Sequence, residues 1–236
     1  MIATGSGRRS GPGRGGRRGA GVSDRITQRL CLYLRCLEEL DRHGIETISS
    51  HRLAERFSFS SAQIRKDLAT FGEFGVRGVG YSVDKLRKRL TRILGLDQEQ
   101  KVVIVGAGNL GTALADYGGF NGKGFRIVAL FDVAPGKVGG ASRNGIPILH
   151  LSRLGEVVGR EEARIAVVAV PGPAAQEVVD AAAAAGISAI LNFAPARLRV
   201  PSAVSLRNVD LKVQMESLAY RLAASRRPSG PRRSPR

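Results

Sequence analysis

The chain has no tryptophan, two cysteines and three histidines, and only 5% of its 236 residues are aromatic. Two cysteines cannot build the disulfide framework of a small secreted domain. Cys31 and Cys36 sit roughly 140° apart around a helix, so they share no face for a local metal pair, and both read as packing residues. No run of about 18 apolar residues occurs, which excludes a membrane-spanning helix. The basic opening MIATGSGRRSGPGRGGRRGAG lacks the apolar centre of a signal peptide. Together these absences place the chain in a reducing cytoplasm.

Acidic residues are scarce too, 20 against 37 lysines and arginines, for a formal net charge of +17. Residues 1–22 hold five arginines and no acid, and SRRPSGPRRSPR at 225–236 holds five more. Ten of the seventeen charges therefore lie in two tails. Their Gly, Pro, Ser and Arg content buries too little apolar surface to offset ordering entropy, so both tails are expected to be disordered. They either add salt-sensitive, sequence-independent attraction to DNA or merely solubilise the chain. The body carries only +3 over 23–100 and +4 over 101–224, so an assignment to nucleic acid must rest on motifs.

From Asp24 to Gly44, DRITQRLCLYLRCLEELDRHG places Ile26, Leu30, Tyr33, Leu34, Leu37 and Leu40 at helical spacing, and Gly44 suits a C-cap. Next, ISSHRLAERFSFSSAQIRKDLATFG predicts one helix near 50–57, a three-residue turn and a second helix near 61–71. Ser60 with Gln63 three residues on forms a capping box that sets the second start. On that helix Ile64, Leu68 and Phe71 should face a core, leaving Gln63, Lys66, Asp67 and Thr70 opposite and Arg65 on a flank. Such a polar face serves either solvent or recognition. FGEFGVRGVGY, with glycines at 72, 75, 78 and 80, then suits a tight hairpin. A helix-turn-helix followed by a hairpin is a winged helix, which places its second helix in the major groove and its wing on phosphate or the minor groove. The candidate DNA contacts are Ser60, Ser61, Gln63, Arg65, Lys66, Arg77, Gly78 and Tyr81. Lys85, Arg87, Lys88, Arg89 and Arg92 give a following helix a basic face, for phosphates or for solvent.

Beyond a linker near Asp97–Gln100 the pattern becomes strand and helix in alternation. Strands read at 101–105, 126–131, 165–170 and 188–192, and helices near 109–118, 151–159 and 173–185. Short apolar strands alternating with helices imply a parallel sheet covered on both faces. KVVIVGAGNLGTALADY carries Gly106, Gly108 and Gly111 between a strand and a helix. In that setting Gly106 makes the turn, Gly108 admits a pyrophosphate, and Gly111 lets the helix pack closely. Ala107, Asn109 and Leu110 complete the loop, and the helix N-terminus favours an anion. Asp132, closing FRIVALFD, can accept from adenosine ribose hydroxyls, while Val133 and Ala134 supply no cation for a 2′-phosphate. The site therefore favours NAD(H) over NADP(H), with Lys137 nearby as the contrary sign.

For an enzyme the chain is short of parts. A dehydrogenase needs a substrate pocket and usually an acid or base beside the nicotinamide. About thirty structured residues follow the last clear strand, too few for a substrate domain. His43 and His51 belong to the first module, and His150 has no partner readable from sequence, so it reads as structural or solvated. An NAD-dependent oxidoreductase with an incidental helical domain is one alternative. A coenzyme A-binding module is another, because VAVPGPAAQEVVDAAAAAGI resembles that branch of Rossmann-type domains. Last, NVDLKVQMESLAYRLAAS puts Leu211, Met215, Leu218 and Leu222 on one stripe, to pack on its own domain or on a second subunit.

In register, SSAQIRKDL, FGEFGVRGVGY, GAGNLGTALADY, ILNFAP and RNVDL resemble the Rex family of redox-sensing transcriptional repressors, from about Asp24 to Leu222. Between the basic tails at 1–22 and 225–236 read from composition, the resemblance implies an α/β chain with a winged-helix DNA-binding domain at 23–96, a Rossmann NAD(H) domain at 101–210 and a dimerisation helix at 211–224 exchanged between subunits. It implies a homodimer on double-stranded operator DNA, released by NADH, with NAD⁺ a weaker competitor that does not release it. It places Tyr117 near the nicotinamide and gives Arg35 and Asp210 a pairing that depends on redox state. ATFGEFG departs from the more usual Ser-Tyr before Phe-Gly, and Gly118 stands where proline is common.

Overall fold

A computed structural model describes residues 23–57, 59–76, 78–120 and 124–225. The two arginine-rich tails, apart from Ser225, and the wing residue Arg77 lie outside the described residues. The chain divides into two compact units between Leu94 and Gly95.

The first unit begins with α1 (Asp24–Arg42), whose buried Leu30, Tyr33, Leu34, Cys36, Leu37 and Leu40 form one apolar stripe. Gly44 follows the helix at φ +70°, the left-handed turn that a C-terminal glycine supplies. Then come β1 (Thr47–Ile48), α2 (Ser50–Glu55) and α3 (Ser61–Ala69). Ser49 and Ser60 cap the two short helices, accepting from the backbone N–H of Arg52 and of Gln63, each at 3.1 Å. The turn between them is held by Phe57 and Phe59 against Tyr33, with ring centroids 6.1 and 6.2 Å from the tyrosine. β2 (Gly75–Val76) and β3 (Gly80–Ser82) form the wing, in the order β1-β3-β2. Gly80 sits at φ +103°, and a Cβ there would come within 2.6 Å of the Ile48 carbonyl oxygen, so the wing closes against β1 only on glycine. α4 (Val83–Ile93) buries Val83, Leu86 and Leu90. Cys36 is buried as expected, but Cys31 is exposed, because the stripe it would have joined lies on the other side of α1.

In the second unit β4 (Gln100–Val105), α5 (Asn109–Ala115), β5 (Phe125–Asp132), β6 (Ile148–His150), α6 (Leu154–Glu161), β7 (Ile165–Val168), α7 (Ala175–Ala184), β8 (Ala189–Asn192), β9 (Ser205–Asn208) and α8 (Leu211–Ser225) follow in turn. Six parallel strands lie in the order β6-β5-β4-β7-β8-β9. The chain starts in the middle, winds outward, and returns to wind the other way, which leaves a crevice at the carboxyl ends of β4 and β7. The edge strands β6 and β9 are absent from the sequence reading: three or four residues, half exposed, give no apolar run.

One face of the sheet packs Val103, Val105, Phe131 and Val168 against Leu154, Val157, Val158, Val178 and Val179 of α6 and α7. On the other, Val102, Ile104, Ile127 and Leu130 meet Ala115 of α5, with Leu114, Phe120 and Phe125 alongside. α8 buries none of its residues, and Leu211, Met215, Leu218, Tyr220 and Leu222 are all exposed. Packing of this helix on its own domain, one of the two uses open to it, is therefore not what the chain does.

Candidate nucleic-acid and dinucleotide sites

α3 is fixed on α1 by a buried carboxylate. Asp67, only 1% exposed, accepts from Arg29 through Nε and Nη2 at 2.5 and 2.7 Å, from the Tyr33 hydroxyl at 3.0 Å and from the Gln63 amide at 2.8 Å. Burial alone would push this carboxyl up; the hydrogen bonds from Arg29, Gln63 and Tyr33 outweigh it and hold Asp67 below the usual range. Two expectations are corrected here. Asp67 is not on the free face of the helix, and Gln63 completes no capping box, because its side chain turns to Asp67 instead of back to Ser60.

Of the other candidates, Arg65 and Lys66 are exposed on α3, Ser61 is half-buried at its start, and the Ser60 hydroxyl is engaged in the cap. Arg65 donates to the Ser50 hydroxyl at 3.0 Å, which ties α3 to α2. Gly78 lies exposed at the wing tip with φ +83° and open space where a Cβ would point. Tyr81 is a correction: it is 8% exposed, its ring edge lies 2.8 Å from where a Gly75 Cβ would stand, and burial pushes its phenol up. It is the floor of the wing, because it occupies the middle strand. The basic face of α4 is also partly spent internally. Arg87 and Lys88 pair with Asp84, at 2.9 Å each, and Arg89 donates to the Phe71 carbonyl and lies over the Phe74 ring.

The second site is a cleft of about 690 Å³ at the sheet's crevice, within the range of small-ligand pockets. Gly106, Gly108, Asn109 and Leu110 line it on the β4 side, Asp132, Val133 and Lys137 after β5, and Ala169, Val170 and Pro171 after β7. The three glycines do different work. Gly106 has φ +106°, and a Cβ would meet the Ala169 carbonyl oxygen at 2.4 Å. Nothing lies within 4 Å of a Cβ at Gly108, the open space a phosphate needs. A Cβ at Gly111 would stand 1.8 Å from the Gly106 carbonyl oxygen, so the helix closes on its own loop only without a side chain. No side chain caps α5, which leaves its first N–H groups to a ligand.

Asp132 is 11% exposed at the side chain. Its Oδ2 accepts from the Ala107 N–H at 2.9 Å and from Lys137 Nζ at 3.0 Å, and its Oδ1 from the Val133 and Ala134 N–H groups at 2.8 and 2.9 Å. Burial would raise its pKa, but these donors prevail and hold it below the usual range. The Ala107 N–H is thereby committed to Asp132 rather than to phosphate. Val170, Pro171, Ala174 and Glu177 also line the cleft; none is among the cofactor-binding candidates read from sequence, although all fall in VAVPGPAAQEVVDAAAAAGI, with its turn after an apolar strand.

Tyr117 does not line this cleft. It stands 58% exposed beyond α5, its ring edge-on to Phe120 at 5.2 Å. The preceding Asp116 anchors the 142–146 loop by accepting from the N–H groups of Arg143 and Asn144 at 3.1 and 2.9 Å. Arg35 is exposed on α1, and Asp210 caps α8 by accepting from the Val213 N–H at 3.1 Å. His150 is structural, since its Nδ1 accepts from the Ser152 N–H and caps the turn before α6. Among the described residues no helix is long and apolar enough to cross a membrane, and no cluster of His, Cys, Asp and Glu could hold a metal.

These two sites recur together in known proteins. Residues 21–69 match the family described as "Putative DNA-binding protein N-terminus", and residues 97–196 the family described as "CoA binding domain". The chain is 50% identical to the redox-sensing transcriptional repressor Rex of Desulfitobacterium hafniense, over 84% of this chain and 94% of that protein. To Rex of Streptomyces coelicolor it is 45% identical, over 86% of this chain and 78% of the relative. The crystal structure of RSP, a Rex-family repressor, with β-NAD⁺ and operator DNA superposes with a TM-score of 0.83 at 38% identity, covering 87% of this chain and 94% of that one. The β-NADH complex of RSP gives 0.77 at 37% identity, covering 86% and 95%. Identity at this level across both modules means that the chain belongs to the Rex family of redox-sensing transcriptional repressors.

Proposed function

We propose that the chain represses transcription by holding operator DNA while NADH is scarce and leaving it when NADH fills the cleft. The observation that carries this reading is the coexistence, in one chain, of a winged helix and a glycine-loop cleft whose ionisable lining groups are Asp132, Lys137 and Glu177. NADH is then a signal here rather than a hydride source, in keeping with relatives that are transcriptional repressors. Its place of work is the cytoplasm, with the chromosome.

The cleft suits the dinucleotide. The opening at Gly108, the positive φ of Gly106 and the uncapped start of α5 accept the pyrophosphate, and Asp132 faces the ribose hydroxyls. Coenzyme A fits less well, since its adenosine ribose carries a 3′-phosphate that the Asp132 carboxylate repels. On DNA, Lys66 and Arg65 of α3 meet the major groove, Ser60 and Ser61 the backbone, and Gly78 with Arg77 the adjoining phosphates. The exposed α8 packs on a second copy, and a two-fold dimer then sets two recognition helices on two half-sites. Within that dimer Tyr117, Arg35 and Asp210 report the redox form. NADH and operator must prefer different arrangements of the dimer, since a ligand shifts only an equilibrium whose states it binds unequally.

The test is a gel-shift titration on an operator selected from random duplex DNA. The complex should survive excess NAD⁺ and coenzyme A and dissociate with NADH in the micromolar range. A chain that selects no DNA sequence, or whose complex ignores NADH, overturns this function.

A further inference from the structure

Asp132 has no acceptor capacity to spare. A carboxylate offers about four lone-pair sites, and four donors already point at this one: the N–H groups of Ala107, Val133 and Ala134, and Lys137 Nζ, all within 3.0 Å. A ribose diol can bond to Asp132 only by replacing one of them. Three are backbone groups fixed by the glycine loop and by the turn after β5. The fourth is the tip of a flexible side chain that is 44% exposed. Lys137 is also the one cation among the described residues lining the cleft.

The same donor set has a second meaning. Three N–H groups and an ammonium converging on one point make an anion nest, and here the resident anion is the protein's own carboxylate. While Asp132 occupies the nest, a 2′-phosphate meets like charge and finds every donor engaged.

We propose that Lys137 is a latent 2′-phosphate anchor of the cleft: Asp132 holds it away from phosphate, the ribose hydroxyls of NADH displace it, and without the carboxylate it anchors the 2′-phosphate of NADPH. The inference rests on the cleft being an NADH site. Selection against NADPH then comes from an internal ion pair and not from the lack of a cation. Lys137 costs nothing in specificity as long as its partner is present, which resolves the contradictory sign it gives in the sequence.

The experiment measures NADH and NADPH affinity of the full chain by reduced-nicotinamide fluorescence, for wild type, Asp132→Asn, Asp132→Ala and the double variant Asp132→Asn with Lys137→Ala. The Asp132→Asn variant keeps an oxygen for the Val133 and Ala134 N–H groups while releasing Lys137, so it serves if the alanine variant does not fold. NADPH affinity should rise about tenfold or more in the single variants, as one charge-assisted hydrogen bond supplies, and fall back to wild type in the double variant. Wild type binding NADH while no variant gains NADPH, or a gain that persists without Lys137, overturns the proposal and leaves the NADH reading intact. Wild type binding neither nucleotide overturns both.

Discussion

Arg29 forks onto Asp67, Nε to Oδ2 at 2.5 Å and Nη2 to Oδ1 at 2.7 Å, and so a buried carboxylate of α3 is held from α1. The geometry is bidentate, and Tyr33 and Gln63 fill the remaining acceptor positions. This polar cluster orients α3 together with the buried Ile64 and Leu68, and removing one partner leaves the other's charge uncompensated in a part-buried site.

Asp67→Ala should therefore destabilise the first unit by about 3–5 kcal/mol, the usual cost of breaking a buried pair from one side. Chemical denaturation followed by circular dichroism measures it. An unchanged midpoint would mean that apolar packing alone sets α3.

Acid should act through the same group. The pKa of Asp67 is lowered on folding, so its stabilisation is fully present above the unfolded value of about 3.9 and is lost as pH falls through the lower folded value. The stability difference between wild type and Asp67→Asn should stay constant from neutral pH to about 5 and shrink below about 4. A difference that grows on acidification contradicts the assignment.

Lys66 should contribute one phosphate contact. Lys66→Ala is expected to weaken operator binding without changing NADH affinity, and to reduce the slope of log affinity against log salt by about 1. Gel shifts at three salt concentrations give the slope; an unaltered slope removes Lys66 from the interface.

Gly119 lies under the Tyr117 ring, and a Cβ there would stand 2.3 Å from its Cε1. Gly119→Ala should lift Tyr117 off Phe120 and change the NADH concentration that releases operator several-fold, with operator affinity in the absence of nucleotide retained. The paired titrations read it directly. An identical NADH midpoint would show that the resting place of Tyr117 has no part in sensing.

Leu218→Glu on α8 should produce a monomer, because a charge replaces one of the apolar residues that α8 leaves exposed. Sedimentation velocity distinguishes the outcomes, and a dimer of undiminished affinity would place the interface elsewhere.

Much of this was legible in the residues. Helix α1, the Ser60 cap, the glycine loop and the closing aspartate of β5 all announce themselves, because each rests on local chemistry: an apolar stripe every three or four residues, a hydroxyl before a helix, a glycine where no Cβ fits. β6 and β9 did not, since an edge strand of three or four residues is recognised by its neighbour in the sheet and not by its own pattern. Tyr81 misled for a related reason. Its place in the wing suggested a DNA contact, and only the pairing of β3 between β1 and β2 turns it inward.

The order of modules, the start of each short helix and the three-glycine loop after β4 follow from the residues alone, because these depend on residues within a few positions of one another. Tertiary structure alone decided that Asp67 is an anchor and not a reader of DNA, that Lys137 is locked on Asp132, and that α8 is left without cover in its own domain. Each of these is a choice of partner, and Arg29 stands 38 residues from Asp67. Pairings across such distances are selected by burial and by competition for hydrogen bonds in the folded chain, which local pattern does not encode.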